Sequence, residues 1–208
     1  GLRAPTAKSS DLGRMINRLK KSFAGAKKVE ENIWVYSPLV IPLHRFGFIK
    51  LINQFILKFA VKYFQWKLKL NVPILWTYNP VIVELLESLE SSKIVYHSVD
   101  DLSASPGIDK ELIKNSESKL FEKADLIFCT SQKIFENAKE AAPSKAFYFP
   151  NVVDKEHFSK AKDKHEKPQE LQSLKGPIIG FIGAIGEYKV DYQQIKKTPS
   201  FPLYIPIF

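Results

Sequence analysis

His97 closes the apolar, strand-forming run Lys93-Ile94-Val95-Tyr96-His97, and Asp100 and Asp101 follow within four residues. An imidazole changes charge near neutral pH, and a nearby carboxylate can orient it or work as an alternative base. His97 is therefore the first candidate for proton transfer and Asp100 the second; Asp101 reads as a capping or orienting group. The three are poorly spaced for a metal, and no His or Cys cluster supports one, so no metal is expected. A run of this kind reads as a buried parallel strand that delivers polar side chains at its carboxyl end. In open α/β sheets that edge is where ligands bind.

Other apolar runs end in similar chemistry. Tyr78-Asn79-Pro80 follows Pro73–Thr77, Ser131 follows Asp125–Thr130, and Pro150-Asn151 follows Ala146–Phe149. Asn79 and Ser131 suit helix N-caps, and helix N-termini attract anions. Singly each residue caps or turns the chain. Together Tyr78, Asn79, Asp101, Ser131 and Asn151 read as one lined edge around His97.

The elements that must position this edge are legible in outline. Ile33–Tyr36, Pro73–Thr77, Lys93–His97, Asp125–Thr130, Ala146–Phe149 and Pro177–Ile182 are candidate strands. Helical patterns span Asp11–Phe23, Phe48–Leu70, Pro80–Leu89, Asp109–Lys123 and Gln132–Ala141. Alternation of this kind predicts an α/β domain with a parallel sheet and helices on both faces.

Charge is unevenly spread over the 208 residues. The net charge is +9; residues 1–72 hold 14 Lys and Arg against 3 Asp and Glu, and the remainder hold 17 against 19. A basic region can face nucleic acid, an anionic membrane or a phosphorylated ligand. No recognised nucleic-acid motif accompanies it, so no nucleic-acid partner is expected. In Phe48–Leu70 a polar stripe of Lys50, Gln54, Lys58, Lys62, Gln65 and Lys69 runs beside an apolar face wider than one packing contact needs. That segment reads either as a helix sunk against the sheet or as one lying on an anionic membrane. Its interspersed lysines argue against a span. The single Cys129 allows no internal disulfide and fits a reducing compartment and a core position. The polar start Gly1–Ser10 has no apolar leader core.

Ser159–Lys175 is polar and charged and reads as a linker. Beyond it Gly180-Phe181-Ile182-Gly183-Ala184-Ile185-Gly186 follows a strand, a spacing suited to cradling phosphate. The last residues, Thr198–Phe208, carry three prolines and cannot form a regular helix. The expected organisation is a domain over 1–158, a linker over 159–175 and the truncated start of a second domain over 176–208.

Four stretches together resemble GT-B glycosyltransferases of the family 4, or group 1, kind. They are Pro73-Ile-Leu-Trp-Thr-Tyr-Asn-Pro80, Val95-Tyr-His-Ser-Val-Asp-Asp-Leu-Ser-Ala104, Glu117 through Ala124-Asp125-Leu-Ile-Phe-Cys-Thr-Ser131, and Pro150-Asn-Val-Val-Asp154 with Phe158. Gly180–Lys189 is similar to the opening of the family's donor-binding domain. The sequence departs from the pattern at Val152, where Gly is usual, and at Ala184, where many members carry Arg. His97 also stands where close relatives often have Asp. The resemblance implies Rossmann-like domains and transfer of a sugar from a nucleotide-diphosphate donor to a glycan or lipid-linked acceptor. The nucleotide sugar would be co-substrate, with no other cofactor. Gly183 and Lys189 would face the donor. The implied setting is polysaccharide or glycolipid synthesis by a cytoplasmic protein; on the membrane reading of residues 48–70 given above, it would sit peripherally on the inner face of the cell membrane. The later donor elements are missing from this sequence, so the chain alone is expected to be inactive. Two rivals stand beside this: a fragment that only binds a partner or membrane, and a sugar-nucleotide epimerase on the same fold.

Overall fold

Alternating apolar and amphipathic segments fold as the pattern requires. The computed structural model describes residues 25–41, 47–163 and 168–173, with 22, 166, 191 and 193 as isolated positions. In chain order these carry β1 (Lys27–Glu30), β2 (Ile33–Val35), α1 (Gly47–Lys67), β3 (Ile74–Thr77) and α2 (Val83–Glu87). They continue with β4 (Lys93–Ser98), α3 (Lys110–Lys123), β5 (Leu126–Cys129), α4 (Gln132–Ala141), β6 (Ala146–Tyr148) and α5 (Lys155–Ser159). The chain divides into two compact units, Gly1–Pro150 and Asn151–Phe208.

The first unit holds an α/β fold of Rossmann-like type, a four-stranded parallel sheet in the order β3-β4-β5-β6 flanked by helices. The register sets Thr77 beside Tyr96, His97 beside Phe128, and Phe128 beside Phe147. The core lies on the face where Tyr96, Ile127 and Cys129 point into α2, α3 and α4. Val83, Leu86, Leu120, Ala124 and Ala138 complete it, with Phe121 and Phe135 packed at its margin. Alanine at 124, 138, 142 and 146 brings helix and strand backbones close. Truncating Leu120, which has no exposed surface, should cost about 2–5 kcal/mol because the fixed helices around it cannot collapse into the gap.

Helix starts follow from local chemistry. The Asp109 carboxylate accepts from the Leu112 amide at 3.0 Å to open α3, and the Ser131 hydroxyl accepts from the Ile134 amide at 3.3 Å to open α4. Asn79 accepts from the Val81 amide at 3.1 Å. Pro80 then leads a 3₁₀ turn, Pro80–Ile82, so the helix expected over Pro80–Leu89 appears as that turn plus the short α2. Gly107, at φ +75, closes the loop before α3 in a conformation that costs other residues steric strain.

The strand expected at Ile33–Tyr36 forms, but it does not belong to the parallel sheet. It pairs antiparallel with β1, a strand of Lys-Lys-Val-Glu that the sequence pattern did not suggest, across the two-residue connection Glu31-Asn32. The short connection allows only a hairpin. The Asp11–Phe23 helix, apart from position 22, and the Pro177–Ile182 strand lie outside the described residues. In the second unit, Asp154 caps α5 through the His157 amide at 2.9 Å, and 3₁₀ turns occupy Lys160–Lys162 and Gln169–Leu171 within the polar stretch read as a linker.

Candidate functional site

Parallel pairing puts every strand's carboxyl end on one edge, and that edge holds the polar residues singled out by the sequence. His97 is the penultimate residue of β4; Tyr78 and Asn79 follow β3, and Thr130 and Ser131 follow β5. His97, Asn79 and Ser131 thus lie on the same edge of the sheet.

The edge is stiffened by its own hydrogen bonds. Thr130 donates its hydroxyl to the Val99 carbonyl at 3.0 Å and its amide to the Ser98 carbonyl at 3.3 Å, tying the β4 and β5 ends together. The Thr77 hydroxyl accepts from the Asn79 amide at 2.9 Å and donates to the Asn79 carbonyl at 3.1 Å. Asp101 accepts from the Ser103 amide at 3.0 Å and from its hydroxyl at 2.6 Å. The side-chain oxygens of Asn79, Asp101 and Ser131 therefore work first as caps. Asp100 is exposed, and no hydrogen bond joins Asp100 or Asp101 to His97 among the described residues.

His97 itself sits among aromatic rings. Strand alternation turns Trp76, Tyr78, His97, Phe128, Phe147 and Phe149 to the face opposite the core. Ring centroids lie 4.9 Å apart for Tyr78–His97, 5.7 Å for Trp76–His97 and 5.3 Å for Phe128–Phe149. Trp76, Tyr78 and Phe149 are 51, 55 and 56% exposed. The His97 Nδ1 atom is buried and has no hydrogen-bond partner among the described residues. Buried polar nitrogens are almost always paired, so this unpaired one sets His97 apart from the other polar side chains of the edge. Apolar ring faces beside a few polar groups are the ordinary make-up of a small-molecule site.

On the core side of the same strand, the Tyr96 hydroxyl donates to Glu117 Oε1 at 2.6 Å. Burial raises the Glu117 carboxyl above its ordinary range; the Tyr96 hydrogen bond lowers it, and the nearby Asp101 charge raises it. Burial, then the Glu117 charge, also holds the Tyr96 hydroxyl far above its ordinary value. The Cys129 thiol, fully covered, is pushed up to about 11 by burial, as expected of a core residue rather than a nucleophile. At the opposite edge Asp125 accepts from Lys93 Nζ and from the Ile94 amide, both at 2.8 Å, which holds its carboxyl below the usual range.

The sequence reading missed the aromatic set and Glu117 as site features. The signal for the first was present, since Trp76 and Tyr78, and Phe147 and Phe149, occupy every-other positions, but only the register makes the strands' rings neighbours. Gly183 and Lys189 lie outside the described residues. Asn151 is exposed and belongs to the second unit. A concave surface lined by Trp66, Lys69, Leu70, Val72 and Glu90 opens at the amino ends of β3 and β4, away from His97.

No protein-family model matches the chain. The chain is 30% identical over 126 residues to the "Putative teichuronic acid biosynthesis glycosyltransferase TuaH" of Bacillus subtilis (strain 168), covering 55% of this chain and 31% of that protein. This likeness supports a glycosyltransferase. The chain thus spans about a third of the length of the curated relative it matches. Among the described residues no helix is long and apolar enough to cross a membrane.

Proposed function

We propose that this chain is part of a GT-B glycosyltransferase of the family 4 kind, with the carboxyl edge of the sheet as its acceptor side. The observation that carries the reading is the unpartnered His97 Nδ1 within a partly exposed aromatic ring set at that edge. Sugars present apolar C–H faces and hydroxyl rims. Trp76 and Tyr78 offer surfaces for the first, and His97 a hydrogen-bonding group for the second.

In the proposed reaction His97 takes the proton of the acceptor hydroxyl as its oxygen bonds the donor's anomeric carbon. The bond from that carbon to the diphosphate breaks, and the nucleoside diphosphate leaves with the electron pair. Asp100 is the alternative base. Helix N-termini and basic side chains would offset the leaving charge, with Gly183 and Lys189 in the donor role that the sequence resemblance gives them. The nucleotide sugar is co-substrate and no other cofactor is invoked. A glycan or lipid-linked acceptor in envelope polysaccharide or glycolipid synthesis is in keeping with a relative named for teichuronic acid biosynthesis, and the proposed place of the reaction is the cytoplasmic side of the cell membrane.

The test is label transfer. The full-length gene product is incubated with radiolabelled UDP- and GDP-sugars and a membrane extract as acceptor source. Label should move from one donor class into the acceptor fraction with matching release of nucleoside diphosphate. Interconversion of the nucleotide sugars with no label in the acceptor would overturn the reading in favour of an epimerase.

A further inference from the structure

Helix α1 has two apolar faces, and among the described residues one of them packs against the fold. On the first, Ile49, Asn53 and Ala60 are buried. Asn53 accepts from the Ile41 amide and donates to the Ile41 carbonyl, each at 2.8 Å; Phe64 stacks on Tyr36, with centroids 4.7 Å apart; and Gln54 donates to Glu84. These contacts fix the rotation of the helix.

The second face therefore points outward by construction. Leu51, Phe55, Phe59, Tyr63 and Trp66 recur at three- and four-residue steps and form one stripe. At 1.5 Å per residue it runs roughly 22 Å. Phe55, Phe59 and Trp66 are 76, 70 and 77% exposed. A contiguous apolar stripe of this size on a soluble surface marks an interaction site.

Charge decides what it meets. The helix carries Lys50, Lys58, Lys62 and Lys67 and no Asp or Glu. Lys62 falls within the exposed stripe, Lys58 along its border, and Lys67 Nζ lies 5.6 Å from the Tyr63 ring centroid. Residues 1–72 as a whole carry 14 basic against 3 acidic side chains. Two copies packed through this stripe would set lysine against lysine. An anionic bilayer accepts both features at once: the rings enter the acyl boundary, and the lysine stems lie along it with their ammonium groups at the headgroups.

We infer that α1 docks flat on an anionic lipid surface through the Leu51–Trp66 stripe, with Lys58 and Lys62 meeting the headgroups. Neither reading of this helix from sequence anticipated that one face would be anchored and the other exposed. The inference does not depend on the glycosyltransferase reading.

The experiment is co-sedimentation of the 208-residue chain with vesicles of phosphatidylcholine alone and of phosphatidylcholine mixed with phosphatidylglycerol. Binding should be confined to the anionic vesicles and should fall as salt is raised, because exposed charges are screened beyond about 8–10 Å near physiological ionic strength. Lys58→Glu with Lys62→Glu should weaken it roughly tenfold or more. Phe55→Ser with Phe59→Ser should remove it; both side chains are exposed, so an unchanged circular dichroism spectrum keeps that loss interpretable. Equal, salt-insensitive partition onto neutral and anionic vesicles would overturn the proposal. So would no binding to either, or a concentration-dependent dimer in sedimentation velocity that Phe55→Ser disperses.

Discussion

Glu117 is a carboxylate held in a partly buried, hydrogen-bonded place on the core side of β4's carboxyl end. Its carboxyl is raised above 4.5 chiefly by burial, against the opposing Tyr96 hydrogen bond. A carboxyl raised in the folded state is protonated more readily there than in the unfolded chain. Its contribution to stability is therefore fully present below 4.5 and is lost as pH rises through the folded value. Urea midpoints measured from neutral pH toward 4.5 should rise less in Glu117→Gln than in the parent. Tyr96→Phe removes a bond that lowers the Glu117 value, so it should move the titration further up. An identical pH profile in parent and Glu117→Gln would contradict the assignment. Nothing in the sequence marked Glu117 beyond its place in a family-like segment, because its partner lies 21 residues away. His97 was legible, since a polar residue ending an apolar run announces itself. Its orphaned nitrogen was not, because burial of a single atom depends on the rings that the two neighbouring strands place around it. Asp125 shows the converse. It was read as part of a motif, and its work is to clamp the amino ends of β4 and β5 through Lys93 and the Ile94 amide.

Among the elements, the strands of the parallel sheet and helices α3 and α4 were readable because apolar runs and N-caps agree: Asp109 and Ser131 each start a helix where a cap belongs. β1 was invisible because Lys-Lys-Val-Glu carries no apolar alternation, and its pairing depends on the hairpin partner. The end of α1 is equally hidden in sequence. The Leu70 amide donates to the Gln65 carbonyl at 2.8 Å and the Lys69 amide to the Trp66 carbonyl at 3.2 Å, with Lys69 at φ 54. This is the double bond pattern that usually recruits glycine to the left-handed position. Lys69→Gly should therefore stabilise the chain by about 1 kcal/mol, since only the steric cost at Cβ is removed. Calorimetric melting temperatures would check it; a lower value would place the helix end elsewhere. Ser131→Ala should cost about 1 kcal/mol by leaving the Ile134 amide without its cap.

At the scale of the whole molecule, topology gathers the chemistry. Four strands running the same way bring Tyr78, His97, Thr130 and Phe149 to one edge from positions spread over 72 residues of sequence. The same arrangement sends the Lys93–Asp125 clamp to the other edge, where it secures the fold without intruding on the site. The excess of positive charge is carried by the first third of the chain, including the helix whose outer stripe stays exposed. A parallel α/β fold was legible from alternation alone. The reading of sugar transfer rested on motif resemblance, and the likeness to a teichuronic acid biosynthesis glycosyltransferase over 126 residues supports its coarse form. The most direct test of the central claim is the initial rate of sugar transfer by the full-length gene product carrying His97→Ala, alongside the parent at equal folded concentration. The account predicts a fall on the order of 10²–10⁴-fold with an unchanged circular dichroism spectrum, because His97 serves the acceptor hydroxyl from the strand end rather than holding the core. A parental rate in the variant would contradict it and reduce His97 to a structural residue.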